Sequence, residues 1–269
     1  MDNLTYTSQK EEGLSGTALK YMALVTMFID HAGLVVVWYG LLQGPTAFAA
    51  AHHDQLLSLY RMMRTIGRLA FPFYLFLLVQ GFMYTHDRFA YGKRLFIFAV
   101  LSEIPFNLAI GQSLFTFADQ NVMWTLLLGF LMLCLLEKIR LKDFSREILV
   151  LLSLSSVAFF GIVAVLFHTD YSYKGILILA ALYLYRFDKK RACLLGALLF
   201  FIEPIRALRY LLSPGSVASP FWEPAAALSF IPICLYNKKR GKGPKYLFYF
   251  FYPVHLICLY LVEQLLLAL

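Results

Sequence analysis

The run "ALKYMALVTMFIDHAGLVVVWYGLL", residues 18–42, decides the fold. It is long and apolar enough to cross a bilayer as a helix, yet it carries Asp30 and His31 near its middle. Eight more apolar runs follow, near 64–84, 94–111, 121–137, 147–168, 174–187, 192–212, 222–237 and 245–268. Backbone amides in lipid must pair among themselves, so such runs form helices or closed barrels, and these are too long and too uniformly apolar for barrel strands. The chain therefore reads as all-α: a polytopic transmembrane helical bundle of about nine membrane segments with short loops. The sixth and eighth runs are short enough to be tilted or re-entrant. The longest break, 43–63, has room for a small interfacial helix.

Composition points the same way. Of 269 residues, 60% are hydrophobic and 15% charged, with a mean hydropathy of +0.68. An ordinary soluble domain is about half apolar and about a quarter charged. Residues 1–17 read as a polar cytoplasmic N-terminus and 18–269 as one integral-membrane domain. The first apolar run lacks the short hydrophobic core and small-residue site of a cleavable signal. Cys134, Cys193, Cys234 and Cys258 all lie in apolar runs without a C-x-x-C, which suits packing better than disulfides or zinc.

The net charge of +8 is topological. Eighteen of the 24 basic residues fall on one side of the alternating segments: Lys10 and Lys20, then the groups 88–94, 138–146, 186–191 and 238–245. That pattern puts the chain in the cell membrane as a multi-pass protein with its N-terminus cytoplasmic and its C-terminus outside. It excludes a nucleic-acid partner as the reason for the charge. The pattern leaves over Arg61, Arg64, Arg68, Lys174, Arg206 and Arg209, five of them arginines at the outer ends of segments two and seven.

Ionisable groups near a bilayer centre cost about 2.5–3.5 kcal/mol on insertion scales and so face a bundle interior or a cavity. His31, Glu103, Glu203 and His255 fall at similar, central depths, with Asp30, Arg64, Arg68 and Arg206 nearby. Arg61, Arg64 and Arg68 form an i, i+3, i+7 stripe whose planar forks suit carboxylate or phosphate, or would pair with Glu103 or outer headgroups. Glu203 and Arg206, at i, i+3, read as mutually neutralising. Pro72, Pro105, Pro204 and Pro253 accompany these groups, each freeing a helical carbonyl where a polar cavity would re-satisfy it.

Asp30 and His31 point about 100° apart on one helix, so Asp30 is expected to fix segment one against a neighbour and His31 to be the reactive base. Lys20 stands eleven residues earlier on nearly the same face, about 16 Å below the imidazole. A cationic mouth leading to a buried base suits a long anionic donor entering from the cytoplasm. His52, His53 and Asp54 lack a defined helical phase, and no metal is expected.

Several blocks resemble the TraX family: "ALKYMALVTMFIDHAG" (18–33), "RMMRTIGRLAFPFYLFLLVQGF" (61–82), "KRLFIFAVLSEIPFNLA" (93–109), "QNVMWTLLLG" (120–129) and "KYLFYFFYPVHLICLYLV" (245–262). Residues 130–244 match it mainly in hydropathy. The family's best-known member is implicated in N-acetylating a conjugative pilin. More distantly, the layout is similar to membrane acyltransferases that use cytoplasmic acyl-CoA. In one of these an arginine precedes a catalytic helix-one histidine by eleven residues, where this chain has Lys20.

The resemblance implies an acetyl-CoA-dependent acyltransferase. Its acceptor would be an amine or hydroxyl on a peptide or cell-surface molecule, and a homo-oligomer is allowed. The catalytic group would be His31, His255 and Asp30, with His255 a second base or a carbonyl polariser. Lys20, Lys93 and Arg94 would hold CoA phosphates. Arg64, Arg68, Glu103, Asn107, Asn121 and Tyr252 would contact substrate. The rival reading of the same buried groups is a proton-coupled carrier of a small anionic solute, against which stand the absent sequence repeat and the odd segment count.

Overall fold

The computed structural model describes residues 13–44, 47–201, 223–244 and 246–268, and among these it contains helices and turns but no strand. Helix α1 (Gly16–Ala32) is capped by Ser15, whose Oγ accepts the Ala18 amide at 3.2 Å, and it passes directly into a π-helical stretch, Gly33–Leu42. After the short α2 (Ala47–Ala51), α3 (His53–Gly67) and α4 (Ala70–Tyr84) are nearly continuous. They break at Arg68–Leu69, where Pro72 has no amide hydrogen to return to the Arg68 carbonyl.

Side-chain caps start the following helices. Asp87 takes the Ala90 amide at 2.8 Å to open α5 (Arg88–Ala109), and Asn121 takes the Met123 amide at 3.0 Å to open α6 (Val122–Arg140). Ser145 caps α7 (Arg146–Leu166), Tyr171 precedes α8 (Ser172–Leu184), and Asp188 caps α9 (Lys189–Leu199). A 3₁₀ turn (Glu223–Ser229), α10 (Phe230–Cys234) and α11 (Leu247–Leu267) complete the described chain.

Five spans among the described residues are long and apolar enough to cross a membrane: Gly16–Leu42, His53–Tyr84, Val122–Arg140, Arg146–Leu166 and Leu247–Leu267. The expected nine segments are therefore not all matched by a spanning helix. The third forms α5, 22 residues long but carrying Arg88, Lys93, Arg94 and Glu103. The sixth forms α8, only 13 residues, and the eighth becomes the 3₁₀ turn with α10. The seventh is described only as α9, so Glu203, Pro204, Arg206 and Arg209 lie outside the described residues, as do Lys10 and Lys245. The break at 43–63 holds the five-residue α2 and then the start of α3, which begins at His53 and extends the second span at its N-terminal end.

The core lies between α1, α4, α6 and α8, where Leu19, Leu75, Phe82, Phe130, Leu133, Ile176 and Leu179 are almost wholly buried. Helices in lipid gain little by hiding apolar surface from one another, so close contact at small residues matters more. Gly129 shows this: a Cβ there would meet Leu179 Cδ2 at 2.4 Å. Helix α7 instead exposes Leu151, Leu154, Phe159 and Ile162, as a lipid-facing helix does. The first and last helices run parallel and stay in contact at three levels. Tyr21 meets Phe248, His31 meets His255, and Gly40 packs by Glu263.

Candidate functional site

Asp30 points from α1 into the break between α3 and α4 and is buried there. Arg64 Nη1 donates to its Oδ2 at 2.6 Å, while Arg68 Nη2 donates to Oδ1 at 2.8 Å and Oδ2 at 2.7 Å. The two arginines are four residues apart, so a helical turn aims both at one carboxylate. Two guanidiniums share this one carboxylate, and the buried Nε of each has no partner among the described residues. Arg61 is exposed and stands apart from this cluster, so the expected three-arginine stripe is reduced to two.

Gly67 makes the approach possible. A Cβ on it would stand 2.1 Å from Asp30 Oδ1, a distance real atoms do not reach. Gly67→Ala should therefore dislodge the carboxylate from both arginines and cost about 3–5 kcal/mol, as breaking a buried ion pair does. A detergent-unfolding midpoint equal to the wild type's would show that the carboxylate can find another seat.

His31, one residue on, points to α11 instead. Its Nδ1 lies 2.7 Å from His255 Nε2, and the rings are 5.0 Å apart at 15°. His255 Nδ1 in turn lies 2.7 Å from the Phe251 carbonyl oxygen. A carbonyl only accepts, so His255 carries its hydrogen on Nδ1, and in a neutral ring its Nε2 is then an acceptor. His31 must donate to it from Nδ1. That leaves the lone pair of His31 on Nε2. Phe251 stacks on His255 at 4.8 Å, and Tyr252 packs 6.0 Å from His31, so the pair is held in orientation by aromatic rings.

Asp30, His31, Arg68, Tyr74, Asp170 and Tyr252 all border one cavity of about 40 Å³, room for a few water molecules at most. Asp170 and Tyr171 enter from the turn between α7 and α8 and had no place in the expected site. The Asp170 amide donates to the Gln120 carbonyl at 3.1 Å, and Thr125 Oγ1 donates to the Asp170 carbonyl. Tyr171 adopts a left-handed backbone, φ 59°, which lays its ring on Phe71 at 3.6 Å with Arg68 5.7 Å away. An acid immediately after an apolar run was the available signal, and it reads as an ordinary loop charge.

Other expected contacts are distributed differently. Glu103 Oε2 accepts from Asn121 Nδ2 at 2.5 Å and from Trp124 Nε1 at 2.9 Å, which answers the alternative that it pairs with the arginines. Asn121 is also committed to the α6 cap and to the Ala99 carbonyl at 3.0 Å. Asn107 is buried with Oδ1 unpartnered among the described residues, as is Glu103 Oε1. Lys20 stands over Phe248 at 5.0 Å on one side of α11. Arg94 lies over Tyr91 on α5, which packs on the other side through Phe98 and Tyr249. Lys20 and the Lys93–Arg94 pair are thus separated by α11 rather than grouped. His52 Nδ1 donates to the Phe48 carbonyl at 3.0 Å, and His53 lies 3.5 Å from Asp54, all exposed.

The family model described as TraX protein matches residues 15–263, and the chain belongs to that family. It is also similar to the "Probable fimbrial assembly protein FimC, serogroup H1" of Dichelobacter nodosus, at 27% identity over 267 residues, covering 91% of this chain and 94% of that protein. No solved structure matches the chain.

Proposed function

We propose that this TraX-family protein is an integral-membrane acyltransferase. It moves an acetyl group from cytoplasmic acetyl-CoA to an amine or hydroxyl acceptor reached from the membrane or the outer face. The observation that carries the reading is the His31–His255–Phe251 chain of hydrogen bonds, which leaves a basic nitrogen at a cavity lined by Arg68. His31 Nε2 takes the acceptor's proton as its nitrogen or oxygen attacks the thioester carbonyl. The charge gained is shared with His255 through the Nδ1–H bond and ends at the Phe251 carbonyl. Arg68, which Asp30 engages only through Nη2, faces the oxyanion that forms. When the C–S bond breaks, His31 returns the proton to the leaving thiolate, so the base is restored.

The family and the relative's description as a probable fimbrial assembly protein support a pilin-like peptide N-terminus as acceptor. Parallel first and last helices support termini on opposite faces and an odd number of crossings, for which nine segments remain the proposal. His31 lies about 22 Å up the helix from Gly16, near the middle of the Gly16–Leu42 span.

The test is reconstitution into vesicles with labelled acetyl-CoA and a peptide amine. One CoA should be released for each label transferred. Proton-driven uptake of an anionic solute without CoA release would replace this reading with a carrier. In the same assay His255→Leu should lose about a hundredfold or more in rate, because nothing then orients His31. His255→Gln keeps an acceptor oxygen near the Nε2 position and should recover most of it. Equal losses in both would make His255 a packing residue, or itself the base.

A further inference from the structure

The seam between α1 and α11 joins the cytoplasmic loop to the histidine pair. At its lower end the loop after α10 is tied to the first turn of α1. Leu14 and Leu235 pair at 2.8 Å, Asn237 returns to Leu14 at 3.0 Å, and the Gly16 and Thr17 amides donate to the Lys239 and Arg240 carbonyls at 2.8 and 2.9 Å. Gly241 holds a left-handed φ of 75° so close to Ser15 that a Cβ would stand 2.6 Å from its Oγ. A loop that only set topology would need its charges but not this anchoring. Lys20 and Arg240 are kept within each other's repulsion, and among the described residues no carboxylate pairs with Lys20, Arg240 or Lys242.

Above this cationic end the two helices face each other through rings. Tyr21 meets Phe248 at 5.5 Å, Phe28 meets Phe251 at 6.4 Å, and Phe28 meets His255 at 6.3 Å. Tyr21 and Phe28 are 43% and 42% exposed, so one edge of the seam carries accessible rings from its cationic end up to the turn before His31.

We propose that this seam is the track of a phosphopantetheine thioester, an inference that rests on the acyltransferase reading. Lys20, Arg240 and Lys242 take the phosphates, the aromatic edge carries the arm, and the carbonyl arrives at His31. The length decides between donors of the same charge. Lys20 and His31 are about 16 Å apart along the helix. An extended pantetheine arm of about a dozen bonds spans a similar distance. A phospholipid carries its ester carbonyl next to the phosphate and would deliver it to the wrong end. Lys93 and Arg94, across α11, play no part in this placement.

The test uses the full chain in phosphatidylcholine nanodiscs, titrated with CoA, with 3′-phosphoadenosine 5′-diphosphate and with 4′-phosphopantetheine. Arg240→Ala/Lys242→Ala should weaken CoA and the nucleotide by at least about tenfold. Phe28→Ala should weaken CoA and phosphopantetheine but spare the nucleotide. Lys142→Ala/Arg146→Ala, which removes the same charge elsewhere on the cytoplasmic face, should change neither, and all variants should melt near the wild type. Loss confined to Lys93→Ala/Arg94→Ala would move the site to α5, overturning this placement while leaving the acyltransferase reading intact. Competition by phosphatidylglycerol for the Arg240–Lys242 effect would make the strap a headgroup site and overturn it likewise. No CoA binding by folded wild type would remove both.

Discussion

On the proposed acyltransferase reading, His31→Ala is expected to abolish acetyl transfer while leaving donor binding in place, the largest effect on activity that the geometry implies. Proton transfer by a positioned base is worth about 10²–10⁴-fold, and His31 is the one imidazole among the residues lining the cavity, with the His255 Nε2 lone pair set back behind it. His255 is the nearest candidate, but its Nδ1 hydrogen is committed to the Phe251 carbonyl and its Nε2 faces the space His31 vacates. The structural cost is smaller. One acceptor loses its donor, about 1–3 kcal/mol, and the rings of Phe251 and Tyr252 still hold His255. Label transfer and melting measured on one sample separate the two effects. Turnover near the wild-type rate in a folded His31→Ala protein would end the assignment of His31 as base.

Asp30→Ala is expected to have the largest effect on stability. It strands Arg64 and Arg68, whose side chains are 17% and 14% exposed, without the carboxylate that bonds them both, a loss of about 3–5 kcal/mol. The origin of the effect lies in the charges left behind more than in the bond removed. Asp30→Asn should therefore be nearly as damaging, because an amide neutralises neither arginine. Adding Arg64→Met to Asp30→Asn removes one stranded cation and should return part of the loss. Unfolding midpoints in detergent decide the matter. A double variant no better than Asp30→Asn alone would mean that the cavity hydrates the arginines and that the ion pair contributes little.

Several of these placements are legible in the amino-acid sequence. Adjacent residues on a helix diverge by about 100°, so Asp30 and His31 have to serve different neighbours, and they face α3 and α11 respectively. Matching depths bring His31 and His255 together across 224 residues of sequence. The i, i+4 spacing of Arg64 and Arg68 announces a shared target, but spacing on one helix cannot name a residue on another, so Asp30 competes with Glu103 and with headgroups. Asp170 is invisible to such reasoning because its position depends on backbone pairing of its turn with Gln120, which has no hydropathy signature. The separation of Lys20 from Lys93 and Arg94 is hidden for a related reason. Charge patterns fix the side of the membrane but not the angular order of helices around it. Hydropathy windows likewise mark α8 and α10 as segments without showing how early they end.

The in-step pairing of the first and last helices sets a timetable for biosynthesis. At roughly 5–20 residues per second, His255 leaves the ribosome on the order of 10–45 s after His31. Until then the α1 imidazole has no α11 partner to select its tautomer, and the strap that touches Gly16 and Thr17 has only just been made. Insertion of the early helices therefore proceeds with an unfinished centre, and the base acquires its orientation as nearly the last event of translation.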